Sequence, residues 1–192
     1  MKLPQPKIKG EFSLEETLEK RRSKRSFAPN ELSWAQMAQL LWAGQGVVGR
    51  RHSFRTVPSA GALYPLELYL VTKEGVYHYK PESHELERTL EGDVRSQLCR
   101  AALHQEFIEE APVNLVIAAV YQRMEWRYRE RAARYVHIEV GHTAQNIHLQ
   151  AVALGLGSVP IGAFYDEQVQ RALSLPKNIQ PLYIIPIGYP AK

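Results

Sequence analysis

Tyr135-Val136-His137-Ile138-Glu139-Val140-Gly141-His142-Thr143-Ala144-Gln145-Asn146-Ile147-His148-Leu149-Gln150-Ala151-Val152-Ala153-Leu154-Gly155 is the stretch on which the architecture turns. Read at helical spacing, Val136, Val140, Ala144, Ile147, Ala151 and Leu154 form one seam at steps of three and four. Tyr135, Ile138, His142, Gln145, Leu149 and Val152 form a second. Both seams are largely apolar, so the spacing predicts a helix covered on two sides. One side faces its own sheet; the other needs a partner, and a second copy of the chain is the simplest. The alternative is a central helix wrapped by its own chain. A third row, Glu139, Thr143, Asn146 and Gln150, is polar and reads as lining a site or a wet interface. The helical segment is expected to start near Tyr121 and end at Gly155.

Working outward, Val113–Val120 is a continuous apolar run that reads as a central strand. Leu66–Val71 alternates like a strand, and Gly75 opens another through Val76–Tyr79, a hairpin across Lys73-Glu74. Ser33 and Gln36 form a possible capping box for a helix to Ala43, closed by Gly44. Asp93 to about His104 reads as a helix, and Gly44 to Gly61 as a loop. Near the end come a strand-like Ser158–Ile161, a turn at Gly162-Ala163, a short helix capped by Asp166 and reaching Leu173, and an apolar strand from Leu182 to Gly188. Strands and helices do not alternate as βαβ units, so the fold class is α+β, with one domain over residues 1–192.

Lys20-Arg21-Arg22-Ser23-Lys24-Arg25-Ser26-Phe27 holds five cationic side chains and two hydroxyls. Ser13 and Glu16 form a capping box for a helix that would deliver this run. On that helix Arg21 and Arg25, four apart, reach one doubly charged anion, with Ser23 as a further donor. The alternative is a solvated basic helix end, where cations favour the dipole.

The chain has 192 residues, 45% hydrophobic and 23% charged, with 24 basic and 20 acidic residues for a net charge of +4. The basic residues cluster at 20–25, 50–55 and 123–134, which suits local anion sites better than a nucleic-acid track. Cys99 is the only cysteine, so neither an intrachain disulfide nor a cysteine metal cluster can form. The first residues carry prolines and lysines without an apolar run, unlike a signal peptide. No apolar stretch approaches the ~20 residues of a membrane span. A reducing cytoplasm is the expected setting. Gly44-Gln45-Gly46-Val47-Val48-Gly49 matches a dinucleotide fingerprint in letters, but a helix precedes it and Arg50-Arg51-His52-Ser53 follows, so the strand–turn–helix context fails. His137, His142 and His148 are five and six apart, which is not metal-ligand spacing on a helix. No nucleophile motif or carboxylate pair appears, so no catalytic side chain is nominated.

Val57-Pro58-Ser59-Ala60-Gly61-Ala62-Leu63-Tyr64-Pro65 sets two prolines around small residues, which lets backbone approach a flat ligand; a tight loop needed only for packing is the alternative. Gly155-Leu156-Gly157-Ser158-Val159-Pro160-Ile161-Gly162-Ala163-Phe164 has the same character. These segments, with the basic run and the Gly-His-x-x-Gln-Asn-x-x-Leu-Gln-Ala helix, occur in an order that resembles the FMN-dependent nitroreductase superfamily from about Leu14 to Pro190. The Pro-Ser-Ala-Gly-Ala-Leu-Tyr-Pro form looks most like the branch containing the azoline dehydrogenases of thiazole/oxazole peptide maturation.

The resemblance implies a mixed or antiparallel sheet flanked by helices, in an intertwined homodimer with two FMN molecules at its interface. By position it assigns Arg21, Arg22, Ser23 and Arg25 to the phosphate and ribityl end of FMN. Pro58, Ser59, Ala60 and Ala62 would reach the flavin from the other subunit. Pro160, Ile161, Gly162 and Ala163 would lie along the isoalloxazine, with the Ala163 N–H near N5, and Gln105 would be a polar ribityl or ring contact. Many relatives add a C-terminal Lys or Arg pair; here Ala191-Lys192 occupy that place, so phosphate affinity leans on Arg21 and Arg25 with Lys192. Gly162 stands where several nitroreductases have an acidic residue. The activity implied is hydride transfer in ping-pong order between NAD(P)H and a small flat acceptor such as a nitroaromatic or quinone. Peptide azoline oxidation is the alternative, and a non-catalytic basic dimer that binds nucleic acid is a second.

Overall fold

A computed structural model describes residues 1–49 and 54–191, so Arg50, Arg51, His52, Ser53 and Lys192 lie outside the described residues. The N-terminal part contains α1 (Leu14–Lys20), α2 (Trp34–Gln45), β1 (Val47–Val48) and β2 (Phe54–Arg55). Then come β3 (Leu66–Thr72), β4 (Gly75–Lys80), β5 (Glu85–Glu91), α3 (Arg95–Ala101), α4 (Phe107–Glu110) and β6 (Val113–Ala119). The chain continues through α5 (Gln122–Tyr128), α6 (Ala132–Ala153), β7 (Gly157–Ser158), α7 (Asp166–Ala172) and β8 (Gln180–Gly188).

Six strands form one sheet in the order β5-β4-β3-β6-β8-β7. Every pairing in it is antiparallel, which resolves the mixed-or-antiparallel expectation. The Lys73-Glu74 hairpin is present, with Thr72 opposite Gly75. β6 sits inside the sheet and all its residues are buried. Side chains alternate across the pleat. Leu66, Leu68, Leu70, Leu115 and Ile117 join Leu40, Leu41, Val136, Val140, Ala144 and Ile147 on the α2–α6 side. Tyr69, Val71, Val116 and Ala118 join Leu98, Val169 and Leu173 on the α3–α7 side. A sheet covered on both faces explains why β6 is apolar throughout.

The first seam of α6 lies in the core as read: Val136, Val140, Ala144, Ile147 and Ala151 are all buried, with Leu154 packed at the edge. The second seam is open in the single chain. Ile138 is 49% exposed, His142 and Gln145 are exposed, and Tyr135, Leu149 and Val152 are half-buried.

Four expectations need correction. The segment after Tyr121 is two helices, broken at Arg129–Arg131, where Arg129 takes φ 48°. Glu125–Arg131 supplies no apolar stripe to bury, so nothing drives a continuous helix there. The helix opened by the Ser13–Glu16 capping box stops at Lys20, with Arg21 as its extended C-cap. Of its residues only Thr17 is buried, and five crowded cations oppose further turns. The basic run therefore continues as extended chain along the sheet: Ser23 bridges Ser158 and the Lys24 N–H donates to the Ser158 carbonyl at 3.1 Å. Arg21 and Arg25 do not share a helical face. The last helix is capped by Tyr165 without a side-chain bond, and Asp166 is its first residue. Finally, Glu139 and Thr143 of the polar row are buried within the chain, so this row is no wet interface at that end. Asn146 donates to the Ala43 and Thr56 carbonyls, and Gln150 accepts from Gln39.

Candidate functional site

At the C-terminal half of α6 the extended basic run, β7 and the 160–163 turn come together. Arg21 Nη1 lies 3.1 Å from His148 Nε2, and His148 Nδ1 lies 2.5 Å from Ser158 Oγ. A guanidinium can only donate, so Nε2 accepts and Nδ1 carries the proton that it donates to Ser158. His148 is 3% exposed. Burial first, and the Arg21 charge second, push its pKa down to about 4, so the ring is neutral near pH 7. Arg22 spends its guanidinium on the Glu19 and Arg21 carbonyls. Among the described residues, none of Arg21, Arg22, Lys24 and Arg25 pairs with a carboxylate. The result is a donor-rich, cationic patch without counter-charge, suited to an anion such as a phosphate.

Beside it, Ile161 exchanges both backbone bonds with Ile184, at 2.8 and 3.0 Å, and so fixes the turn that follows. Gly162 and Ala163 are exposed. A Cβ on Gly162 would sit 3.3 Å from the Tyr183 ring, so an acidic side chain would press on that tyrosine. Gln105 Nε2 donates to the Ala102 and Ala163 carbonyls at 2.9 and 3.1 Å. Gln105 thus braces Ala163 from its carbonyl side, while among the described residues no acceptor takes the Ala163 N–H.

The 58–65 loop lies elsewhere. Ala62 and Tyr64 have φ of 53° and 46°, left-handed values that cost non-glycine residues on the order of 1–3 kcal/mol each. Several bonds impose them: Ser59 Oγ accepts from the Tyr64 N–H at 2.9 Å, Arg123 donates to the Tyr64 carbonyl at 3.0 Å, and the Arg55 guanidinium sits 4.7 Å from the Tyr64 ring centre. Gly61 is needed where it is, since a Cβ there would meet Tyr128 Oη at 2.8 Å. Beneath the loop runs a polar chain in which Gln45 donates to Thr143 Oγ1 and accepts from Arg55, and Arg55 also pairs with Glu82. Glu139 ends there, 2% exposed, with no hydrogen bond to either oxygen among the described residues. Burial pushes its pKa up to about 7; nearby Ser59, Arg55 and Gln45 pull the other way without closing a hydrogen bond.

His148 and Glu139 are nine residues apart on α6, roughly 13 Å along the axis and half a turn around it. Within one chain the structure brings Arg21, Ser23 and Pro160–Ala163 together with Gln105, and leaves Pro58, Ser59, Ala60 and Ala62 on the other side of α6. His148, Ser158, Gln45, Arg55 and Glu139 are parts of these two groups that sequence reading had placed in neither.

Two comparisons decide the lineage. The nitroreductase family profile matches residues 18–189. A Methanocaldococcus jannaschii protein designated a nitroreductase is 45% identical over 194 residues, 98% of this chain and 96% of that protein. The chain belongs to the nitroreductase family. It is an oxidoreductase of that family with the family fold: a crystal structure of a protein assigned as a nitroreductase from Ralstonia eutropha superposes with a TM-score of 0.92 at 30% identity, covering 100% of this chain and 90% of that one. More distant relatives include an NADPH-flavin oxidoreductase of Vibrio harveyi, 31% identical over 111 residues (54% of this chain, 46% of that protein). On the azoline side stands the microcin B17-processing protein of Escherichia coli, 29% identical over 143 residues (68% and 52%). The resemblance to both branches is thus real. The dinucleotide fingerprint at Gly44–Gly49 has no place in this fold, since α2 precedes it and β1 lies within it.

The neutral His148 has a consequence that can be measured. Its proton affinity is lower in the folded chain than in the unfolded one, so stability rises with pH from about 4 to 6.5 and is lost as pH falls through that window. The contribution is on the order of 3 kcal/mol. His148→Leu should flatten that part of the profile in urea denaturation at pH 4.5 and 7. An unchanged slope would show that the buried ring is not the group responsible.

Proposed function

We propose that this chain is an FMN-dependent oxidoreductase that works as a homodimer in the cytoplasm, with NAD(P)H as electron donor and a flat nitroaromatic or quinone as acceptor. The supporting observation is the division of the site: a cationic, donor-rich cradle on one side of α6 and a backbone-exposing loop on the other. In this reading one flavin meets both across two copies of the chain. The residues fit the cofactor. Arg21, Ser23 and Arg25, with Arg22 at the margin, offer a phosphate donors that no carboxylate competes for. Pro160, Ile161, Gly162 and Ala163 offer a flat ring a fixed turn without bulky side chains.

FMN, when bound, supplies the hydride chemistry between nicotinamide and acceptor in ping-pong order. The chain binds, orients and shields. His148 holds Arg21 in place, Gln105 braces the Ala163 carbonyl, and with FMN bound the Ala163 N–H would be offered to the ring while Pro58, Ser59, Ala60 and Ala62 of the second copy would close the other face. No side-chain acid or base is required of the protein.

Purified protein should carry flavin absorbance, and it should oxidise NAD(P)H with a quinone. A colourless protein that takes up no added FMN would sink the reading. Azoline peptide oxidation without NAD(P)H turnover would move it to the processing branch, whose microcin relative this chain matches over about half its length.

A further inference from the structure

The most anomalous group in the chain is the Glu139 carboxyl. It is 2% exposed and neither oxygen has a hydrogen bond among the described residues, although buried polar atoms nearly always find one. It lies directly behind Ser59, in the loop that the proposed flavin site draws from the second copy. The groups around it are few. Gln45 comes from α2 and Thr143 from α6, already bonded to each other. Among the described residues Arg55 of β2 is the charged neighbour acting on it, and it is committed to Gln45, Glu82 and the Tyr64 ring. His142, one turn along α6, is exposed. Ser59 already accepts from the Tyr64 N–H and keeps one O–H to give.

We propose that Glu139 is the positioning residue of the 58–65 loop: while it holds a proton, Ser59 and Arg55 stay on the loop, and when it loses the proton they are drawn inward and the loop leaves the flavin. This rests on the flavin reading above. A neutral carboxyl can remain dry behind the loop. A carboxylate there recruits the nearest donors, the Ser59 hydroxyl and the Arg55 guanidinium, which together with Arg123 hold Tyr64 in left-handed backbone. The elevated pKa of about 7 puts this exchange in the neutral range.

The test is FMN dissociation by flavin fluorescence at pH 6 and 8.5 for the full chain and for Glu139→Gln, which imitates the protonated form. FMN phosphate itself titrates near pH 6, so the readout is the ratio between the two proteins. The ratio should be near one at pH 6. At pH 8.5 the native chain should bind about tenfold more weakly than Glu139→Gln, one pKa unit of coupling. Thermal midpoints should differ in parallel, with Glu139→Gln the more stable at pH 8.5 and the two equal only at about pH 3.5, below the titration of the unfolded carboxyl. A purely structural carboxyl would move the midpoints and leave the affinity ratio flat, which would overturn the proposal. Should Glu139→Gln fail to fold, Ser59→Ala carries the test: the extra loss at high pH should vanish, and its persistence would overturn the coupling. A native chain that binds no FMN at either pH would overturn the flavin reading itself, a result distinct from parallel curves.

Discussion

Under the proposed function, Arg21→Ala should weaken FMN binding by about tenfold to a hundredfold, whereas Arg22→Ala should change it by no more than about threefold. A charge-assisted hydrogen bond is worth about 1.5–3 kcal/mol, and each 1.4 kcal/mol is a factor of ten. Arg21 brings that bond ready-made. Its guanidinium is half-buried, fixed by the neutral His148 ring, and without a carboxylate partner among the described residues. Arg22 is exposed, and its Nη1 is engaged with the Glu19 and Arg21 carbonyls, so it must give up two bonds to gain one. Fluorescence titration of the apoprotein with FMN measures both. Equal losses in the two variants would mean that the patch acts through net charge and that the His148 support is irrelevant.

In the proposed homodimer, Ile138→Glu should separate the subunits and release flavin in the same step. Ile138 is 49% exposed in the single chain, on the seam with Tyr135, Leu149 and Val152. Leu149 also lines a cavity of about 640 Å³ between α1, α2 and α6. Apolar anchors at the centre of an interface contribute 2 kcal/mol or more, so the dimer should weaken by roughly thirtyfold or beyond. The seam choice matters. Val140 and Ile147 are 6% and 0% exposed, buried in the chain's own core, and a carboxylate at either would unfold the protein rather than dissociate it. Sedimentation and bound flavin should fall together in Ile138→Glu with secondary structure intact. A dimer that keeps its flavin would take this seam out of the interface.

Features that depend on neighbours in sequence were legible. Ser13 with Glu16 and Ser33 with Gln36 are capping boxes in the structure, and the β3–β4 hairpin turns where alternation and Gly75 place it. β5 was not legible because Glu85–Glu91 is an edge strand with charged residues outward and only Leu86 fully buried. The basic run was misread as helical because its spacing fits a helix, while its backbone partners, Ser158 for Lys24 and Ala191 for Ser26, lie more than 130 residues away. The site divides the same way. The motifs around Arg21, Pro58 and Pro160 marked its edges. The neutrality of His148 comes first from burial and second from Arg21, 127 residues distant, and the isolation of Glu139 comes from packing under a loop and α2, none of which any local pattern encodes.

The claim that each flavin is held by two chains is tested by mixing subunits. One chain carries Arg21→Ala, the other Ala62→Trp, at an exposed position that already tolerates a side chain at positive φ. Each variant alone has two damaged sites. If the cradle and the loop come from different chains, a mixed dimer combines both lesions in one site and restores the other, so it should bind one FMN per dimer at native affinity. If both halves came from the same chain, every site in the mixed dimer would carry one lesion, and no FMN would bind at native affinity.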